Sequence, residues 1–199
     1  MQSSGSEKRI RISGLSFALG GIIAILLTTA SEAAFVGYSV RTDAISGLGG
    51  AGSPTEIFWN FQLLISGLLW CVGTLMLFRA QGHSVRTVFF LLTGIGLLLV
   101  SISPWNVDPA VHGIGAQMAA YFGIISCFLS YGITTSPFRL FSLFAGTFAL
   151  AALLLSFFGF SALGPGGIER MIYYPVFLWE IGFGGYLMGG NQVLPRQGH

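Results

Sequence analysis

Charge is what this chain carries least of. Asp, Glu, Lys and Arg together make up 8% of the 199 residues, against about a quarter in an ordinary soluble domain. With 53% of residues hydrophobic, no soluble fold could hide the apolar surface that remains. The formal net charge is only +2 and no basic run is present, so nucleic acid is excluded as a partner. Cysteine is nearly absent as well. Cys71 and Cys127 both lie in apolar runs with no CxxC or CxxH neighbour, which reads as two small buried hydrophobes rather than a redox or metal site.

What the chain has is long apolar runs. A helix crossing about 30 Å of hydrocarbon at 1.5 Å per residue needs roughly 20 apolar residues. Six runs approach that length, at about 14–35, 57–78, 87–103, 111–133, 138–160 and 171–190. The expectation is an all-α polytopic membrane protein, a single six-transmembrane-helix bundle spanning residues 1–199. Lys8, Arg9 and Arg11 before the first run, with Ser31-Glu32-Ala33 after it, faintly resemble a signal peptide. The run from Gly14 to Ala30 is longer than a signal core, so it reads as a retained helix.

Short basic loops stay cytoplasmic. With the N-terminus inside, Lys8, Arg9, Arg11, Arg79, Arg86, Arg139 and Arg196 fall on the inner side, and only Arg41 and Arg170 on the outer. Asp43, Glu56, Asp108 and Glu169 fall outside, with Glu32 near the outer end of the first helix. The expected location is the cell membrane, multi-pass, with both termini cytoplasmic. Gly182, Gly185 and Gly189 recur at helical spacing on the last helix and read as packing residues. A phosphate-cradling loop is rejected there, because no strand precedes it.

The longest polar stretch is the outer loop 36–56. Its glycines and Pro54 forbid a long helix, while Tyr38, Val40, Ile45 and Leu48 are apolar enough to fold back onto the bundle as a re-entrant or capping segment. Ser53-Pro-Thr-Glu56 reads as the start of the second helix, with Ser53 as N-cap. Near this loop gather the candidate ligand-binding residues: Tyr38, Ser39, Ser46, Asn60, His112 and Glu180. Glu180 stands out because an ionisable group within a span is costly; starting the helix at Pro175 would put it about 1.5 turns deep. Each has a plainer reading too: Glu180 as a hydrogen-bonded acid fastening the last helix, His112 as a helix-end polar group, Asn60 as a donor holding the Gly-rich loop. Arg41 with Asp43, and Glu169 with Arg170, read as solvated loop charges, and Trp105, Tyr173 and Tyr174 as an interfacial aromatic belt.

The run Tyr38-Ser39, then Ile45-Ser46-Gly47-Leu48-Gly49, then Asn60, then Asp108 and His112, resembles a family of archaeal and bacterial six-span membrane proteins catalogued as domain of unknown function nine-nine-eight. The resemblance covers nearly the whole chain and implies its fold, but no activity. That family's pattern often has an acidic residue where this chain has Gly47. At a greater distance, such proteins are similar to eukaryotic multi-span families linked to lipid remodelling and autophagy.

Three classes of function stay open. The first is a non-enzymatic binding, assembly or structural component whose outer polar cluster holds a lipid head group or small ligand, with membrane lipids and a membrane-protein partner or second copy as its company. The second is a lipid-modifying hydrolase or transferase with His112 as base, Asp108 or Glu180 as its orienter, and Ser39 or Ser46 as nucleophile or anchor. The third is a small secondary transporter. No cofactor is expected. The other histidines are His83, expected on the inner side, and His199, so a three-histidine zinc site is excluded, and a bis-histidine haem fails because no paired histidines lie within the span. A metal held by His112 and carboxylates is the one such alternative left.

Overall fold

The computed structural model describes residues 4–82, 84–159 and 162–190. Among these the fold is entirely helical: α1 Ser4–Ala34, a short 3-10 turn Ile45–Gly49, α2 Glu56–Gln81, α3 Val85–Ile102, α4 Pro109–Ser130, α5 Phe138–Phe157 and α6 Gly164–Met188. Helices adjacent in sequence are adjacent in space, and α6 returns to lie against α1, closing the bundle. Helices α1 to α5 are each long and apolar enough to cross a membrane. The 25-residue α6 is less uniformly apolar, with Glu169, Arg170 and Glu180 among its residues and Pro175 inside it.

The packing logic is that of lipid, where the close approach of backbones replaces the hydrophobic drive between helices. At the α1–α6 seam a Cβ on Gly14 would stand 2.7 Å from the Gly184 carbonyl. At the α3–α4 seam a Cβ on Gly96 would stand 2.7 Å from the Gly115 carbonyl. Helix α5 buries only the small-residue stripe Ser142, Ala145, Gly146, Ala149 and Ala152, and turns Phe144 and Phe148 outward. Aromatic rings fill the centre. Trp179 and Phe183 stack with centroids 5.0 Å apart, and Phe90 meets Phe17, Trp70, Trp179 and Phe183. The Trp70 indole donates to the Phe90 carbonyl at 2.7 Å.

Several expected boundaries move. Helix α6 begins at Gly164 rather than near Met171, with Pro165 in its first turn and Pro175 inside it. The stretch Gly164-Pro-Gly-Gly-Ile-Glu-Arg170 looks like a loop in sequence, yet Pro at a helix start is favourable and tertiary contacts hold the turn. Glu180 therefore lies 16 positions into the helix, about 24 Å along its axis, and not 1.5 turns. Helix α2 begins at Glu56 after Thr55, so Ser53 is not its N-cap; the Ser53 hydroxyl donates to the Leu48 carbonyl instead. Of the expected packing glycines, Gly182 lies close against the Phe138 ring but Gly185 faces open space, and it is Gly184 that meets the backbone of α1. The expected end of the fifth run at Phe160, and the side chains of His83, Arg196 and His199, lie outside the described residues.

Candidate functional site

The loop 36–56 folds back across one end of the bundle, the loop end, and is pinned from three directions. From α2, the Asn60 amide donates to the Gly49 carbonyl at 3.0 Å, and within the loop Thr55, just before α2, donates to the Leu48 carbonyl at 2.8 Å. Gly49 is obligatory, since a Cβ there would run into the Trp59 ring. From the α3–α4 turn, Asn106 makes a reciprocal pair with Ala51, accepting from its N–H at 2.8 Å and donating to its carbonyl at 3.0 Å.

The third anchor is the first part of α6, and it overturns the reading of Glu169 and Arg170 as solvated loop charges. Arg170 is 3% exposed. Its guanidinium pairs with Glu32 of α1 at 2.7 Å, donates to the Tyr38 hydroxyl at 2.7 Å, and reaches the carbonyls of Val40 at 3.0 Å and Gly166 at 2.7 Å. Tyr38 in turn donates to the Ala44 carbonyl at 2.8 Å. Burial pushes the Tyr38 phenol above its ordinary range, partly offset by the guanidinium beside it, so it stays a neutral donor. Glu169 accepts the Ile45 N–H at 2.6 Å through Oε2. Gly166 donates its N–H to the Arg41 carbonyl at 3.1 Å, and any side chain there would collide with the Asp43 carbonyl.

The remaining candidates are dispersed around this latch. Ser39 and Asp43 organise the loop locally, the Ser39 N–H donating to the Asp43 carboxylate at 2.8 Å. Asp108 caps α4 by accepting the Val111 N–H at 3.1 Å. His112 is buried, its Nδ1 2.8 Å from the Ser103 carbonyl. Ser46 lines a residual cavity of about 40 Å³ beneath the loop, room for a few waters at most. Glu180 stands apart: ten positions beyond Arg170, roughly 15 Å further along α6, it is fully buried against Gly20 and Gly21 of α1. Neither carboxyl oxygen has a hydrogen-bond partner among the described residues. Tyr173 and Tyr174 do not form a belt; they turn inward, donating to the Ala116 carbonyl at 3.0 Å and to Glu32 at 3.3 Å.

Beside the latch, the loose seam between α4 and α5 leaves a lateral cleft of about 450 Å³ between α4, α5 and α6, inside the roughly 300–1,000 Å³ of ordinary ligand pockets. Its walls are mostly apolar, with Ala120, Leu153, Pro165 and Ile172 among them, and its polar groups are Gln117, Tyr121, Ser156, Glu169 and Tyr173. Ala116, Glu169 and Tyr173 form the partition between this cleft and the small cavity under the loop. Reasoning along the chain missed Glu32, Asn106, Glu169 and Arg170 as a structural set. The signal available was Arg170 itself, an arginine on the side otherwise poor in basic residues.

A closed bundle of apolar helices with an ion pair buried at one end defines a polytopic helical membrane protein. The pattern of a family described as protein of unknown function, DUF998, matches residues 18–185, and the chain belongs to that family. Comparison with curated proteins and with solved structures returns no match.

Proposed function

We propose that the protein is a non-enzymatic, six-span component of the cell membrane, with both termini cytoplasmic, that holds an amphiphile at its outer end. The observation that carries this reading is the lateral cleft: a largely apolar space of about 450 Å³ with a few polar groups in its lining, one of which, Glu169, is bonded to the loop. An acyl chain supplies the apolar part and a head group the polar part.

Orientation is supported by charge. Arg9 reaches the Arg79 carbonyl at 3.3 Å, Arg86 lies beside Gly132, and Arg139 stacks over Tyr131 at 4.7 Å, so basic residues collect at the end opposite the loop, the pattern of a cytoplasmic face. Helix α6 serves as the sixth span because Arg170 and Glu180 are buried in the bundle and Glu169 is bonded to the loop, which is how spans tolerate ionisable groups. A hydrolytic reading finds little support, since His112 is bonded to the Ser103 carbonyl and Asp108 is engaged as a cap, with Glu180 elsewhere.

The test is lipid extraction and native mass spectrometry of the purified protein. A retained amphiphile is expected in the wild type and its loss in Ser156→Trp, which fills the cleft from an exposed position on α5. A protein that retains none overturns the reading. Orientation is checked with a cysteine at Thr42 in a Cys71→Ala, Cys127→Ala background; failure of a membrane-impermeant maleimide to label it on intact cells reverses the topology.

A further inference from the structure

The polar end of the cleft has a composition that selects a head group. The Arg170 charge is already matched, because its guanidinium lies on the Glu32 carboxylate at 2.7 Å and both side chains are largely enclosed. Glu169, one position earlier, has no cationic partner of its own within ion-pairing distance among the described residues. Its Oε2 accepts the Ile45 N–H at 2.6 Å, and its Oε1 has no hydrogen-bond partner among the described residues. The other polar residues lining the cleft, Gln117, Tyr121, Ser156 and Tyr173, are neutral. The lining includes no Lys, Arg or His. Glu32 and Glu169 thus share the single guanidinium of Arg170, which leaves the group one negative charge in excess; an anionic head group would add to that excess, whereas a cation would complete the pairing.

We propose that the cleft binds a single-chain amphiphile carrying a primary amine, the ammonium seated on Glu169 and the chain lying along Ala120, Leu153 and Ile172. This assignment rests on the amphiphile-holding reading above and adds the head-group class. Glu169 is also the loop's anchor at Ile45, and it stands in the partition between cleft and cavity. Occupancy of the cleft is thereby coupled to the loop, because one carboxylate would hold the ammonium through Oε1 and the Ile45 N–H through Oε2.

Three probes of one chain length separate the possibilities: hexadecylamine, hexadecanol and palmitic acid, titrated by native mass spectrometry into the full chain in a non-ionic detergent. The amine is expected to bind at least tenfold more tightly than the alcohol, and the acid most weakly. Glu169→Gln, whose amide oxygen can still accept from Ile45, is expected to bring the amine down to the level of the alcohol. Ser156→Trp should weaken all three. Amine and alcohol binding alike in the wild type overturns the head-group assignment and leaves the amphiphile reading standing, as does amine preference unchanged in Glu169→Gln. Binding of none of the three overturns both. Because the wild-type preference is itself diagnostic, the outcome does not depend on either variant folding.

Discussion

Removing the Arg170 guanidinium isolates the energetics of the latch. In Arg170→Met the stem volume is largely kept, but Glu32 is left buried with only the Tyr174 hydroxyl at 3.3 Å, and the Tyr38 hydroxyl and Val40 carbonyl lose their donor. With the paired side chains only 4% and 13% exposed, breaking the pair from one side should cost about 3–5 kcal/mol, the range for a buried charge left uncompensated. For a chain of this size each kcal/mol moves the melting temperature by about 2–4 °C, so a drop of roughly 6–20 °C is expected in a thermal-unfolding assay of the purified protein. The loop should loosen at the same time, raising maleimide labelling of a cysteine at Ser46, which is half-buried beneath it. The double variant Glu32→Met, Arg170→Met removes both charges together and should recover most of the loss, since replacing a buried pair by apolar side chains is often neutral. If the two single losses simply add in the double variant, or Arg170→Met melts within a degree of the wild type, the pair does not hold the loop and the argument fails.

The other anchors give smaller, graded effects. Asn106→Ala removes two hydrogen bonds to Ala51, each worth about 0.5–1.5 kcal/mol, and should raise proteolytic cleavage within the loop without disturbing the helices by circular dichroism. Gly49→Ala drives a methyl into the Trp59 ring and should cost about 1–3 kcal/mol as an overpacked site, read as a lowered melting temperature; an unchanged one would place Trp59 elsewhere. Glu180→Leu replaces an acid without partners by an apolar side chain, and thermal unfolding should find it neutral or stabilising. A large loss would mean that the carboxyl has a partner.

Much of the architecture was legible because lipid imposes a one-dimensional rule. A span must be apolar for about 20 residues, so the runs beginning at Gly14, Ile57, Thr87, Val111 and Phe138 announce α1 to α5 to within a turn or so at most described ends, the N-terminus of α1 excepted. The long loop, its turn residues and the family resemblance were legible for the same local reasons. Helix α6 was only half legible: its first two turns hold three glycines, Pro165, Glu169 and Arg170, and locally that composition argues for a loop.

The site was legible only in parts. Tyr38, Ser46 and Asn60 were placed near the loop by position alone, but the group that binds the loop to the bundle joins residues 138 positions apart, Arg170 and Glu32. Nothing local distinguishes an arginine that meets a carboxylate from one that meets water. Glu180, conspicuous in sequence as a charge within a span, proved to sit against Gly20 and Gly21, away from the latch, because helix register and the true start of α6 decide which face it shares. The sequence by itself therefore determined the membrane character, the places where the chain leaves its helices and the residues available at the loop. The tertiary structure decided which charges are paired, how the loop is closed, and that a cleft opens where α5 stands off from α4. Hydropathy is a sum over neighbours in sequence, whereas ion pairing and cavity volume depend on neighbours in space.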